Sequence, residues 1–227
     1  RQTDLDRVVS HRTLILPQLA GPSVAAHRLK KLCGFSGFFG PVRIKDLPAY
    51  LESGMRADKE MRKVGFPLGE RLTVALVEVH GARKFLLWTL AACLILAVLD
   101  PNGFTFAGIL MSGLGAFAAV LTGFLTGVFL VPALLPHIPL RAYAAKGLLA
   151  GAVTGFLPAG ILAGTLPQAL AQVLACSAFA SWFTMNYTGS TPFTSLSGVD
   201  REMRVYMPIQ GSLLLLAVIA WLLPPWL

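Results

Sequence analysis

The sequence predicts an α-helical membrane domain of about five spans, preceded by the C-terminal part of an α/β domain. Three observations carry this. Hydrophobic residues make up 55% of the 227-residue chain and charged residues only 13%, against roughly 25% charged in ordinary soluble domains. The charge is segregated: residues 1–84 hold fifteen of the 19 Lys+Arg and eight of the 11 Asp+Glu. Beyond Lys84 the sequence breaks into long apolar runs separated by turn residues. The boundaries expected from this are 1–80 for the soluble part and 84–227 for the membrane part.

The soluble part reads as strand, helix, strand, helix. Residues 13–16 (Thr-Leu-Ile-Leu) form a short apolar strand. Gly21-Pro22 opens a helix with Pro at its first position, and Gly34 closes it. Residues 35–39 form a second strand, and 45–53 a second helix ended by Gly54. Leu/Val alternate with polar or small residues over 72–79, which predicts a last strand before the membrane. Such alternation of strands and helices suggests a parallel sheet. Two strands and two helices are too few to cover both faces of one, and the chain opens on Arg1 with no apolar leader in its first 80 residues. This part is therefore expected to continue a larger α/β domain. Ligands of open α/β sheets bind beyond the carboxyl ends of the strands. The candidates there are Pro17, Gln18 and Gly21 after the first strand, and Gly40 and Pro41 after the second.

A span needs about 20 mostly apolar residues. Five stretches qualify: 85–99 (short, extended by its flanks), 106–131, 145–163, 167–187 and 206–223. Asp100-Pro101-Asn102-Gly103, Pro132 to Pro139, and Gly164-Thr165-Leu166-Pro167 supply the breaks. One set of span ends carries Arg83, Lys84, Arg141, Lys146, Arg201 and Arg204, and the other only Asp100. The positive-inside rule then places the N-terminal part in the cytoplasm and the C-terminus outside. Trp88, Trp221 and Trp226 are expected at interfaces. Gly123 and Gly127, and the row Gly147, Gly151 and Gly155, let helix backbones approach closely in lipid. Pro158 with Gly160 marks a potential break in the third span. All charges fall at span ends or in loops, which disfavours a transporter.

The stretch 186–204 is expected to be a loop on the cytoplasmic side. It concentrates hydroxyls: Tyr187, Thr188, Ser190, Thr191, Thr194, Ser195 and Ser197, with Gly189 and Gly198. Thr188, Gly189, Ser190, Thr191, Thr194 and Ser195 are candidates to face a polar or anionic ligand; the alternative is that they cap helix ends. Cys33, Cys93 and Cys176 have no metal-ligand or disulfide spacing, so no metal site is expected. His11 and His27 lack ligand partners. Arg28, Lys30 and Lys31 read as a solvated helix face able to meet anionic lipid. No stacking aromatics accompany them, and no nucleic-acid partner is expected.

Three stretches carry a resemblance. Leu5-Asp6-Arg7-Val8-Val9-Ser10-His11-Arg12-Thr13-Leu14-Ile15-Leu16-Pro17-Gln18 with Val24-Ala25-Ala26-His27 is the first. Gly40-Pro41-Val42-Arg43 with Asp46-Leu47-Pro48-Ala49-Tyr50-Leu51 is the second. Thr188-Gly189-Ser190-Thr191-Pro192-Phe193-Thr194-Ser195 with Ser197-Gly198-Val199 and Glu202-Met203 is the third. Together they resemble the membrane-anchored corrinoid proteins of microbial mercury methylation. The soluble part is more weakly similar to the corrinoid-binding subunit of the corrinoid iron–sulfur protein. The resemblance implies a cytoplasmic corrinoid (cobalamin)-binding α/β domain and a five-span domain in the inner membrane of a prokaryote. It implies a methyltransferase that passes a methyl group from a methyl-folate-type donor via cobalt to Hg(II), forming methylmercury. The implied partners are a ferredoxin-like iron–sulfur protein, the methyl-folate donor or its methyltransferase, Hg(II) and the lipid membrane. The family's cobalt-ligating Cys lies in an Asn-x-Trp-Cys-Ala-type helix, which is absent here, and none of the three cysteines inherits its role. No catalytic residue is therefore expected within these 227 residues, which are expected to be inactive alone. A small-molecule transporter and a purely structural anchor are the alternatives.

Overall fold

The computed structural model describes residues 5–101, 105–189, 191, 194 and 196–223. The chain forms two compact units, Arg1–Gly65 and Phe66–Leu227.

The first unit opens on a helical turn, Leu5–Val8. Strand β1 (Thr13–Leu16) pairs in parallel with β2 (Ser36–Phe39), Thr13 opposite Ser36 and Leu16 opposite Phe39. Helix α1 (Ala26–Cys33) makes the crossover and ends on Gly34 at φ 78°, the left-handed cap that a residue without Cβ adopts freely. It starts four residues later than Gly21-Pro22 predicts. The chain after β1 instead turns tightly through Gln18–Ala20 before the helix begins. Helix α2 (Leu47–Glu52) follows a single turn, Ile44–Asp46, and Gly54 lies beyond its end at φ 70°. Among the described residues the sheet has two strands, so a full α/β domain is not seen. Phe35 and Tyr50 are its buried large side chains. Arg28, Lys30 and Lys31 are exposed.

The strand expected over 72–79 does not form. Those residues lie in α3 (Leu68–Gly81), which belongs to the second unit. There Ala75 and Ala82 pack with Phe124, Val128 and Phe183. Helix α4 (Arg83–Val98) follows, and the two are bent by 57°. Helix α5 (Phe106–Leu125) continues through a π-helical turn, Thr126–Leu130, and a last α-helical turn, Val131–Leu134. Then come α6 (Tyr143–Leu162), α7 (Leu166–Thr188) and α8 (Leu196–Trp221). Among the described residues, four helices are long and apolar enough to cross a membrane, or five when α3 and α4 count as one span. Helix α6 runs unbroken through Pro158.

Helix α7 is the centre of this unit, and glycine explains why. A Cβ on Gly147 would stand 2.6 Å from the Ala180 carbonyl, and one on Gly151 2.7 Å from the Ser177 Cα. On the α5 side, a Cβ on Gly123 or Gly127 would meet the carbonyls of Cys176 or Ala180 at 2.7 and 2.6 Å. Two glycine faces thus clasp α7 with backbone against backbone, the close approach that small residues permit between helices. Around the clasp, Phe85, Phe124 and Phe183 stack edge to face, with centroids 5.3 and 4.8 Å from Phe183. Trp221, expected at an interface, is only 4% exposed. It packs with Cys93, Ala116, Val120 and Ala171 and donates its indole N–H to the Leu96 carbonyl at 3.2 Å. Trp88 is 77% exposed. Trp226 lies outside the described residues.

Candidate functional sites

Two places hold the predicted site residues, one in each unit. In the first unit the parallel register brings the carboxyl ends of β1 and β2 side by side. The Gly40 N–H donates to the Leu16 carbonyl at 2.8 Å, so the chain leaves β2 beside the start of the Pro17 turn. The Ala20 N–H closes that turn on the Pro17 carbonyl at 2.9 Å. A cavity of about 200 Å³ lies at these strand ends, and Pro17, Pro41, Val42, Arg43, Ile44 and Leu47 form most of its wall. Pro17 and Pro41 are thus brought together as expected from the topology. Gly40 sits behind the wall, where a Cβ would stand 2.6 Å from the Ile15 side chain. Gln18 and Gly21 lie on the turn, off the lining. Arg43, the last residue of the Gly40-Pro41-Val42-Arg43 stretch, lines the cavity and donates to the Gly65 carbonyl at 3.3 Å. Gly40→Val should collide with Ile15 and part the two strands. We expect a loss of about 1–3 kcal/mol in the stability of this unit, read by denaturant unfolding.

In the second unit, residues 186–188 and 196–204, expected in a loop, are helical. They belong to the end of α7 and the start of α8. Between them the Thr191 and Thr194 hydroxyls both donate to the Thr188 carbonyl, at 3.0 and 2.5 Å, and lie 3.1 Å from each other. They satisfy an orphan carbonyl at the C-terminus of α7, the capping role open to hydroxyl side chains. Thr188 is fully buried and Gly189 exposed. Ser190 and Ser195 lie outside the described residues.

The same end of the unit carries a clamp that the sequence does not announce. Tyr187 donates its hydroxyl to the Arg71 carbonyl at 3.1 Å. The Arg71 guanidinium donates to the Pro132 and Ala133 carbonyls, both at 3.3 Å, and to the Phe66 carbonyl at 2.8 Å. Lys146, only 7% exposed, donates to the Leu135 carbonyl at 2.8 Å. Two cations therefore meet the C-terminal end of α5, where the helix dipole favours positive charge. Glu202 does the converse. Its carboxylate accepts from the Ala144 N–H at the start of α6, a helix whose own N-cap position, Ala142, has no side-chain acceptor. Five chain segments, α3, the end of α5, α6, α7 and α8, are tied at one end of the bundle. The available sequence signal is a lone Lys inside an apolar run and a lone Glu opening the last span.

Cys93 and Cys176 are buried, and Cys33 is exposed at the end of α1. Among the described residues, no three His, Cys, Asp or Glu side chains converge as a metal site would require. No protein-family model, curated protein or solved structure matches the chain.

Proposed function

We propose that this chain is the membrane-anchored part of a corrinoid-dependent methyltransferase that methylates Hg(II). The observation that carries the reading is the strand-end cavity. Two of the three motif stretches that resemble the mercury-methylation proteins, one around Pro17 and one around Pro41, meet at its wall. A bound corrinoid would supply the cobalt that accepts a methyl group from a methyl-folate-type donor and delivers it to the mercuric ion. The residues here fit one wall of such a site. Pro17 and Pro41 offer apolar edges, and Gln18, Gly21 and Gly40 shape the turns behind them. No thiol stands at that wall. Cys33 precedes β2 and so lies at the opposite, amino end of the strand, which leaves the cobalt ligand to sequence outside these residues. In this reading the helical unit spans the inner membrane, and a ferredoxin-like protein restores the reduced cobalt.

The test uses the full-length gene in its host. Deleting it should abolish methylmercury formation from isotopically labelled Hg(II), and restoring it should return the activity. Unchanged methylmercury in the deletion strain would refute the reading.

One observation favours a narrower role for the helical unit, as an anchor: the Thr191 and Thr194 hydroxyls both serve the Thr188 carbonyl. Replacing both by Val in the full-length protein should cost about 1–3 kcal/mol of stability for the two lost hydrogen bonds. Methylation per folded molecule should stay within about twofold if the loop only caps the helix. A fall of tenfold or more, at unchanged corrinoid absorbance, would assign the loop to substrate or cofactor.

A further inference from the structure

Helix α3 is amphipathic in an unusual place. Leu68, Leu72 and Leu76 recur every four residues, so they share one edge of the helix, and they are 49%, 37% and 63% exposed. The neighbouring edge, Ala75 and Ala82, is buried against α5 and α7. At 100° per residue, Glu70, Thr73 and His80 fall on the side turned away from Ala75 and Ala82, together with the apolar Val77, and Val74 lies opposite the leucines. A leucine edge beside the bundle and a polar edge away from it is the pattern of a helix lying in a lipid interface.

The chain around the bend places that interface. Helix α4 has 16 residues, about 24 Å at 1.5 Å per residue, which nearly covers a hydrocarbon core of about 30 Å unaided. Arg83 and Lys84 stand exposed at its first turn, where head groups would lie. Trp88, 77% exposed, follows within two turns, at the depth where interfacial aromatics collect. The exposed apolar surface of α4 begins at Leu87 and runs on through Leu94 and Ile95. Exposed leucines thus follow one another on α3 and α4 across a 57° bend.

We propose that α3 is an interfacial helix: α4 alone makes the first crossing, and α3 lies along the leaflet that carries Arg83 and Lys84, its leucine edge in the lipid. The occupant of that edge is a phospholipid surface. This holds whether or not the chain serves mercury methylation.

Single nitroxide labels test it in the whole chain, carrying Cys33→Ser and reconstituted in phosphatidylcholine–phosphatidylglycerol vesicles. Labels at Leu72 and Leu76 should collide more with dissolved oxygen than with a water-soluble nickel chelate, at depths equal to within about 2 Å. A label at Thr73 should show the reverse preference. A label at Leu94 in α4 is the reference and should sit deeper. Three results would each overturn the proposal. The leucine labels could prefer nickel, as a watery face does. They could be shielded from both reagents, as a protein-covered face is. Or they could differ in depth by about 6 Å, the rise of four residues along a crossing helix.

Discussion

Gly147→Leu will detach α6 from α7. A Cβ at this position already stands 2.6 Å from the Ala180 carbonyl and from the Ser181 Cα, and 2.8 Å from the Thr184 hydroxyl. Two of these are backbone atoms of a helix held on its other side by Gly123 and Gly127. No rotamer change relieves the clash, so the helices must separate. Overpacking commonly costs about 1–3 kcal/mol, and a backbone-to-backbone contact without slack belongs at or above the upper end. We expect a melting temperature in detergent lower by on the order of 10 °C, using about 2–4 °C per kcal/mol for a chain of this size. Gly160→Leu is the control. A Cβ there meets nothing within 4 Å, so melting should be unchanged. Equal effects at both positions would mean that helix propensity, not the clasp, governs the response.

The second large effect lies at the opposite end of the bundle. Asp100 is 1% exposed and accepts hydrogen bonds from the Ser112 hydroxyl and, at 2.7 Å, from the Gln168 amide. Gln168 in turn accepts from the Gly164 N–H at 2.9 Å. One carboxylate therefore joins the end of α4, the start of α5 and the turn between α6 and α7. Asp100→Leu removes the shared acceptor and leaves two donors facing an apolar side chain. Each buried unpartnered group costs about 1–3 kcal/mol, so the variant should lose about 3 kcal/mol or more. The double variant with Gln168→Leu should lose less than the sum of the two singles, because it removes a donor left unpaired. Additive losses in thermal unfolding would show that the network does not act as a unit.

Features carried by near neighbours in sequence were legible; those made by distant partners were not. The glycine row Gly147, Gly151 and Gly155 announced a close helix contact, because its spacing of four is a property of one helix. The parallel pairing of β1 and β2, and with it the meeting of Pro17 and Pro41, followed from an apolar run, a helix and a second apolar run. The 72–79 stretch misled because two periods overlap there. Val and Leu alternate with polar residues, yet Leu68, Leu72 and Leu76 also fit a helical edge, and burial of Ala75 and Ala82 decides for the helix. Gly21-Pro22 marked a turn rather than a helix start, since either uses the fixed φ of proline. The stretch 186–204 looked like a loop because hydroxyls and glycines dominate it. Helices α7 and α8 absorb both its ends, where packing outweighs propensity. The clamp was illegible for a simpler reason: Glu202 and Ala144 lie 58 residues apart, and Tyr187 and Arg71 lie 116 apart.

The position of α7 bears on how the protein is made. It has the lowest mean hydropathy of the four long helices, 1.2 against 2.2 for Phe106–Leu134, and it buries Gln168, Gln172, Ser177, Ser181 and Thr184. Leaving the translocation channel alone, such a segment would present these polar groups to acyl chains. The turn joining it to α6 is three residues, 163–165, and the glycine face of α6 is synthesised just before it. The two helices are therefore suited to partition from the channel as a hairpin, α6 shielding α7 during biosynthesis.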